Sequence, residues 1–170
     1  MIRLINKQYI FRLDKPSIKK TIQMLITAAG YPNYDIGVMF TVDKTIRKLN
    51  REYRGKDKPT DILSFPFVEA LKPGKLPKPQ SVDERNLGDI VISMRYLDRW
   101  CGEHGVDIND RLPVLYAHGI CHLLGYDHEN KKDYLKMRRK ERKILDQMNE
   151  WKAIIEEQND SSSKAKSSRQ

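Results

Sequence analysis

The chain has 170 residues, two cysteines and a net charge of +9 from 32 basic and 23 acidic side chains. This length fits one domain with a core of its own, and two cysteines are too few for a disulfide framework, which favours a reducing compartment. No stretch approaches the ~18 consecutive apolar residues of a membrane span, and the first twenty residues lack the apolar segment of a secretory signal. Those twenty residues are basic with one acid, Asp14. The predicted location is therefore the cytoplasm, with the mitochondrial matrix as the alternative.

The positive charge is concentrated in two segments. Residues 44–58 carry seven bases and two acids, residues 131–143 carry eight and two, and the remainder is close to neutral. Clustered bases bind polyanions by releasing condensed counterions, so a phosphate-binding surface is predicted, beside the plainer alternative of two solvated helix faces. The expected partner is nucleic acid and not a membrane, because no amphipathic basic helix stands alone at a terminus.

A short strand over residues 2–6 opens the predicted fold. Pro16 begins a helix that Gly30 ends, and the alternating apolar residues over 36–42 predict a half-buried strand. Asp43 is the predicted N-cap of a second helix.

Two more strands are predicted at residues 61–67 and 87–93, joined by a loop rich in proline and charge. Pro66 puts the first of them at an edge of the sheet or at a strand end. Three further helices are predicted at about 94–104, 110–124 and 131–157. Strands that alternate with helices imply an α/β fold, with about four strands in a small mixed sheet and about five helices. We expect one domain over residues 1–157 and a disordered polar tail over residues 158–170.

Three histidines lie within the eleven residues HGICHLLGYDH at positions 118–128. His118 and His122 are four residues apart, so a helix projects both from one face. Gly125 can take the left-handed conformation that ends the helix and brings His128 round to the other two. Three imidazoles with one open position are typical of catalytic zinc, so the sequence predicts one Zn²⁺ per chain on a helix-turn motif.

The same histidine spacing occurs in metzincin proteases, whose glutamate follows the first histidine and serves as general base. Here that position is Gly119, which cannot move a proton, so a peptidase is disfavoured. Cys121 lies about 100° around the helix from His122. We interpret it as a packed core thiol and not as a fourth ligand.

The histidine segment resembles the motif of the YbeY family, metal-dependent endoribonucleases that process ribosomal RNA. Residues 53–67, YRGKDKPTDILSFPF, look like a second family signature, and residues 86–93, NLGDIVIS, like a third. The resemblance implies a zinc site formed by His118, His122 and His128. It also carries over Arg54 as the conserved arginine near the metal.

The resemblance implies a cellular role as well. That role is small-subunit ribosomal RNA maturation and ribosome quality control, with the small ribosomal subunit and its proteins or an assembly GTPase as partners. The proline-rich insertion at residues 72–80 and the long basic carboxy-terminal helix depart from the compact bacterial pattern and are similar to eukaryotic members.

Cleavage of a phosphodiester needs a neutralised phosphate, an activated oxygen nucleophile and a backbone held in place. A zinc-bound water is the predicted nucleophile or base, and Arg54 can form paired hydrogen bonds to phosphate oxygens. Lys56 and Lys58 are predicted to hold neighbouring phosphates. The long helix supplies further predicted RNA-binding residues: Arg138, Arg139 and Arg142.

Three carboxylates are weaker candidates for the site. Asp61 and Asp89 either orient a metal-binding imidazole or cap a turn, and Asp127 is a weak candidate for a general base. The predicted function is a zinc-dependent endoribonuclease directed at single strands in ribosomal RNA processing. The alternatives are a metallohydrolase of another class, such as a peptidase, and a non-catalytic ribosome-assembly factor with a bound metal.

Overall fold

The computed structural model describes residues 1–69 and 71–167, with side chains described as far as residue 159. Its strands and helices are, in chain order, β1 (Ile2–Asn6), α1 (Lys15–Ala29), β2 (Asp35–Thr41), α2 (Asp43–Arg54), β3 (Ile62–Pro66), β4 (Asn86–Ser93), α3 (Met94–His104), α4 (Ile108–Leu123) and α5 (Lys131–Ser167). The strands form one sheet in the order β1-β2-β4-β3. Strands β1, β2 and β4 are parallel, and β3 runs antiparallel to β4 at the edge. The predicted α/β class with a small mixed sheet is confirmed.

The two faces of the sheet are covered unequally. Helices α1, α4 and α5 pack together over one face, where Phe40 of β2 and Ile90 of β4 meet Tyr116 of α4 in the main core. Helix α2 lies on the other face, over a smaller cluster of Ile46, Leu63 and Val91. Because successive strand residues point to opposite faces, even-numbered residues of β3 and of β4 from Asp89 onward face α4, and odd-numbered ones face α2. Leu87 lies before the register shift in β4 and belongs to the main core.

Asp43 does not cap α2 as predicted. The helix begins at Asp43 itself, and Val42 is the cap residue, with no side-chain bond. The Asp43 carboxylate instead accepts a hydrogen bond from Ser93 Oγ at 2.6 Å and pairs with Arg99 at 2.7 Å. The Asp43 carboxylate therefore bonds to tertiary partners and not to the helix backbone. As an acid in the first turn, it still interacts favourably with the helix dipole.

Helix α5 is longer than predicted, and its described part runs to Ser167, ten residues beyond the expected end. Residues 158–167 contain neither glycine nor proline, the residues that most strongly stop a helix. Residues 158–167 of the predicted disordered tail are thus helical, and residues 168–170 lie outside the described part of the chain. The division into a domain over residues 1–157 and a separate tail over residues 158–170 stays a prediction. No helix in the described residues combines the length and apolar character of a membrane span.

Candidate active site

Helix α4 and the turn after it bring the three histidines together. The helix buries one side against the sheet, and His118 and His122 lie one turn apart on its half-exposed side. Gly125 follows the helix with φ of +78°, a left-handed conformation that glycine adopts easily. A Cβ at this position would lie 2.6 Å from the Leu71 Cβ, so the position also lacks room for a side chain. The predicted helix end at this glycine is confirmed.

The imidazoles of His118, His122 and His128 converge on one point. Each offers a ring nitrogen, and these three nitrogens all lie within 4.8 Å of one another. The Nε2 atoms of His118 and His122 are 3.1 Å apart. Two nitrogens that bind one tetrahedral zinc ion at about 2.0–2.1 Å are separated by roughly 3.3 Å. The spacing of these nitrogens therefore suits a single metal ion.

Glu141 of α5 fixes the orientation of the first histidine. Its Oε1 lies 2.6 Å from Nδ1 of His118, and both side chains are mostly shielded from solvent. An ionised carboxylate can only accept a hydrogen bond, so it holds the proton on Nδ1 and leaves Nε2 free to bind a metal. Glu141 was not predicted from the sequence, because the segment in which it lies was interpreted through its lysines and arginines alone.

A signal for Glu141 was nevertheless present. The side of α5 that packs on the core carries the buried residues Met137, Ile144 and Met148. Glu141 follows Met137 by four residues and precedes Ile144 by three, so it belongs to the same stripe of the helix. An acid within an apolar stripe indicates a buried partner, since carboxylates are rarely buried unless paired.

The surroundings of α4 keep His122 neutral and Cys121 inert. Burial, together with the neighbouring imidazoles of His118 and His128, lowers the pKa of His122 to about 4. At neutral pH its ring nitrogen therefore carries a free lone pair. Burial raises the pKa of the Cys121 thiol to about 12, and its side chain is fully buried in the core. These observations agree with the interpretation of Cys121 as a packed thiol.

The histidines form one wall of a cleft of about 810 Å³. Arg54 at the end of α2 and Lys56 in the following loop line the same cleft. The edge strand β3 contributes Ser64 and Pro66 to the lining of the cleft. Both cations and all three imidazoles thus face one space that is open to solvent.

The other predicted RNA-binding residues lie elsewhere. Lys58 is not among the residues lining the cleft, and its backbone carbonyl accepts a hydrogen bond from Asn50 at 2.8 Å. Arg138, Arg139 and Arg142 share one side of α5 with Asp146 and Glu150, around a separate shallow groove. A role for these four bases in binding RNA stays a prediction.

The three candidate carboxylates take different positions. Asp61 lines the cleft, and its Oδ1 accepts hydrogen bonds from the Thr60 hydroxyl and the Ile62 amide at 3.1 and 2.9 Å. Asp127 also lines it and accepts from the His128 amide at 2.7 Å. Neither hydrogen-bonds to an imidazole ring in the described residues.

Asp89 does not belong to the cleft. It is an odd-numbered residue of β4 and therefore points to the α2 face, where it pairs with Arg3 at 3.2 Å. Its suggested role in orienting a histidine is wrong, because the sheet separates it from α4.

Comparisons with known proteins agree with this architecture. The chain matches the family model described as Endoribonuclease YbeY over residues 3–149. It is similar to the human protein named Endoribonuclease YbeY, with 37% identity over 143 residues that cover 84% of this chain and 85% of that protein. The Persephonella marina protein of the same name is 41% identical over 127 residues, which cover 74% of this chain and 78% of that one. A solution structure of a Thermotoga maritima protein shares the fold, with a TM-score of 0.57, 24% identity and coverage of 90% of this chain and 93% of that one.

Proposed function

Because the chain belongs to the endoribonuclease YbeY family, we propose that it is a zinc-dependent endoribonuclease that cuts single-stranded segments of ribosomal RNA. The observation that carries the proposal is the cleft in which three imidazoles converge beside Arg54 and Lys56. This combination of side chains suits cleavage of a phosphodiester, because the negative charge of the phosphate needs cations close to the reacting atoms.

The side chains fit a zinc ion. His118, His122 and His128 would hold one ion per chain, and an all-nitrogen set of three ligands leaves a coordination position open. Glu141 supports this set from behind His118. When bound, the ion would polarise a phosphoryl oxygen and lower the pKa of a water.

The remaining chemistry falls to the protein's own cations. The Arg54 guanidinium can donate two parallel hydrogen bonds to non-bridging phosphate oxygens, and Lys56 can bind the next phosphate as a point charge. Lys58, Arg138, Arg139 and Arg142 would hold more distant phosphates. These bases set the position of the RNA strand, and Arg54 stabilises the charge that grows during cleavage.

The cellular role that we propose is maturation of small-subunit ribosomal RNA and ribosome quality control. The partners would be ribosomal RNA, the small ribosomal subunit with its proteins and an assembly GTPase. The net charge of +9 supports a polyanionic partner. We propose the cytoplasm as the location, with the mitochondrial matrix as the alternative.

Two other functions are less well supported. A peptidase of the metzincin kind needs a glutamate at position 119, but a Cβ on Gly119 would lie 2.6 Å from Ile90 Cδ1 and 3.0 Å from Ile62 Cδ1. A side chain there would enter the contact between α4 and the sheet and not the cleft. A non-catalytic assembly factor would be expected to close its metal site with four ligands, commonly cysteines.

One set of assays separates these possibilities. Purified protein is incubated with single-stranded RNA and with casein, each with and without chelator. We expect cleavage of RNA that chelator abolishes, and intact casein. Elemental analysis should find one zinc per chain, lost in both His118→Ala and His122→Ala. Intact RNA in the presence of zinc would contradict the proposal, and normal ribosomal RNA ends in depleted cells would contradict the cellular role.

A further inference from the structure

Two aromatic side chains lie together on the surface beside the cleft. Tyr53 of α2 and Phe65 of β3 contact edge to face, with ring centroids 4.9 Å apart. Tyr53 is 67% exposed, although its ring has a packing partner. Phe65 is partly buried against the cluster of Ile46, Leu63 and Val91, so the pair stands on a fixed base.

The pair lies directly across the edge of the sheet from the cleft. Tyr53 precedes Arg54, and Phe65 stands between Ser64 and Pro66; these three neighbours of the rings all line the cleft. Because strand residues alternate, Phe65 faces α2 while its two neighbours face the histidines. Strand β3 is the last of the sheet, so no further strand of the described chain separates the two faces. A ligand that leaves the cleft over β3 would therefore meet the rings next.

The charges around the rings favour an anionic ligand. The first basic segment, residues 44–58, surrounds Tyr53 in sequence and carries a net charge of +5. Asp89 stands opposite Phe65 in the strand register, and its carboxylate pairs with Arg3 at 3.2 Å. Exposed aromatic rings surrounded by lysine and arginine side chains suit a ligand with a negatively charged backbone and planar side groups.

We propose that Tyr53 and Phe65 form a stacking site for a base of single-stranded RNA, next to the cleft in which its backbone is cut. This proposal rests on the proposed function, because it extends the path of the same substrate. Stacking on aromatic rings tolerates any base, so the site would hold a single strand without selecting its sequence. A base-paired duplex offers no free base face, and the site would therefore favour unpaired RNA.

The test is a binding titration of the full chain with a labelled single-stranded oligoribonucleotide, in chelator so that the ligand stays intact. Tyr53→Ala should weaken binding by about five- to a hundredfold, the range for losing one stacked base. Tyr53→Phe keeps the ring and should bind as the unchanged protein does. Tyr9→Ala is the matched control, since Tyr9 is 84% exposed and follows β1 at the opposite edge of the sheet.

Salt dependence and abasic nucleotides distinguish stacking from other causes. The plot of log affinity against log salt for Tyr53→Ala should run parallel to that of the unchanged protein, because no charge is removed. An oligonucleotide with one abasic position, moved along the strand, should reproduce the weakened binding at one place. At that place Tyr53→Ala should cost nothing more.

The outcomes separate this proposal from the function on which it rests. Normal binding by Tyr53→Ala, or failure of Tyr53→Phe to restore it, would overturn the stacking site while RNA cleavage still supports the proposed function. If Tyr53→Ala binds RNA more weakly and its thermal unfolding midpoint has also fallen, the second variant Phe65→Leu decides between stacking and loss of structure. If Phe65→Leu is folded and binds normally, the rings only hold α2 against β3 and the proposal is wrong. Absence of any RNA binding would overturn both.

Discussion

The two basic segments, residues 44–58 and 131–143, carry similar charge but contribute opposite kinds of side chain to the site. In the first segment two bases, Arg54 and Lys56, line the cleft, whereas the acid Asp57 does not and pairs with Arg47. In the second segment the acid Glu141 reaches His118. The arginines of that segment lie around a separate groove on α5. The net charge of a segment therefore does not say which of its residues act at the site.

The difference follows from how each segment is packed. Helix α2 ends at Arg54, and the loop after it leads straight into the edge strand that borders the cleft. Helix α5 instead packs along α1 and α4 through a stripe that includes Met137 and Ile144. Only a side chain within that stripe can approach α4, and Glu141 occupies that position.

The largest effect is expected at Arg54 in the first segment. Arg54→Lys keeps the charge but loses the paired hydrogen-bond geometry, so cleavage at saturating RNA should slow by about ten- to a thousandfold. Affinity measured without turnover should change little, because other bases still hold the RNA. Zinc content should stay the same, since arginine is not a ligand. Single-turnover kinetics measure the rate, a binding titration in chelator measures the affinity, and elemental analysis measures the zinc content.

The matched control is Arg51→Lys, one turn earlier on α2. Arg51 lies 3.8 Å from Asp57 and does not line the cleft. Its substitution should leave the rate at saturation unchanged. If Arg54→Lys cleaves normally once saturated but needs much more RNA, Arg54 is a positioning residue and the first segment acts in binding alone.

The next largest effect is expected at Glu141 in the second segment. Glu141→Gln keeps the shape but replaces a charged acceptor with a neutral amide, so the preferred tautomer of His118 is no longer enforced. Zinc affinity, measured by competition with a chromogenic chelator, should fall by about ten- to a hundredfold. RNA affinity in chelator should not change, because Glu141 touches no substrate.

Glu150→Gln serves as the control on the same helix. Glu150 accepts a hydrogen bond from Gln147 at 2.8 Å and lies at the separate groove. Equal zinc affinity in both variants would mean that Glu141 only connects α5 to α4 and does not orient His118 for metal binding.

The contrast between Glu141 and the histidines shows what the sequence could predict. His118, His122, Gly125 and His128 lie within eleven residues, and local rules of helix spacing and termination are enough to bring them together. Glu141 is 23 residues from its partner. The partner of the Glu141 side chain depends on how α5 packs against α4. Local rules of sequence do not predict that packing.

The errors on Asp43 and Asp89 have the same origin. Asp43 is a good N-cap by residue type, but Ser93 and Arg99 come from distant parts of the chain and compete for its carboxylate. Asp89 was predictable in part, because Ile90 and Ile92 are core residues and strand alternation puts Asp89 on the other face. The order of the strands, which sets what lies on each face, was not predicted.

A smaller effect is expected from the arginines of α5. If Arg138, Arg139 and Arg142 bind phosphates, replacing all three with alanine should lower the salt slope of single-strand binding by about 0.7 for each phosphate that is no longer neutralised. The rate at saturating RNA should not change, since none of them lines the cleft. An unchanged slope would mean that this side of α5 is a solvated face, and RNA binding would then rest with the first segment.

The smallest effect is expected at Asp57, the acid of the first segment. Its carboxylate accepts two hydrogen bonds from Arg47 at 2.9 Å and lies 3.8 Å from Arg51, so it holds two bases that RNA could otherwise use. Asp57→Asn should release them, tighten RNA binding a few-fold at low salt and steepen the salt slope by about 0.7 per base. Stability should barely change, because exposed ion pairs contribute little.

The pH dependence of this pair gives a second measurement on the unchanged protein. The hydrogen bonds from Arg47 hold the pKa of Asp57 below its usual range. The carboxylate is therefore ionised throughout neutral pH, and the pair is broken only as the pH falls through that lowered pKa. Between about pH 6 and 8 the difference in RNA affinity between Asp57→Asn and the unchanged protein should stay constant. A difference that varied within that range would show that a group titrating between pH 6 and 8, and not Asp57, controls how Arg47 and Arg51 bind RNA.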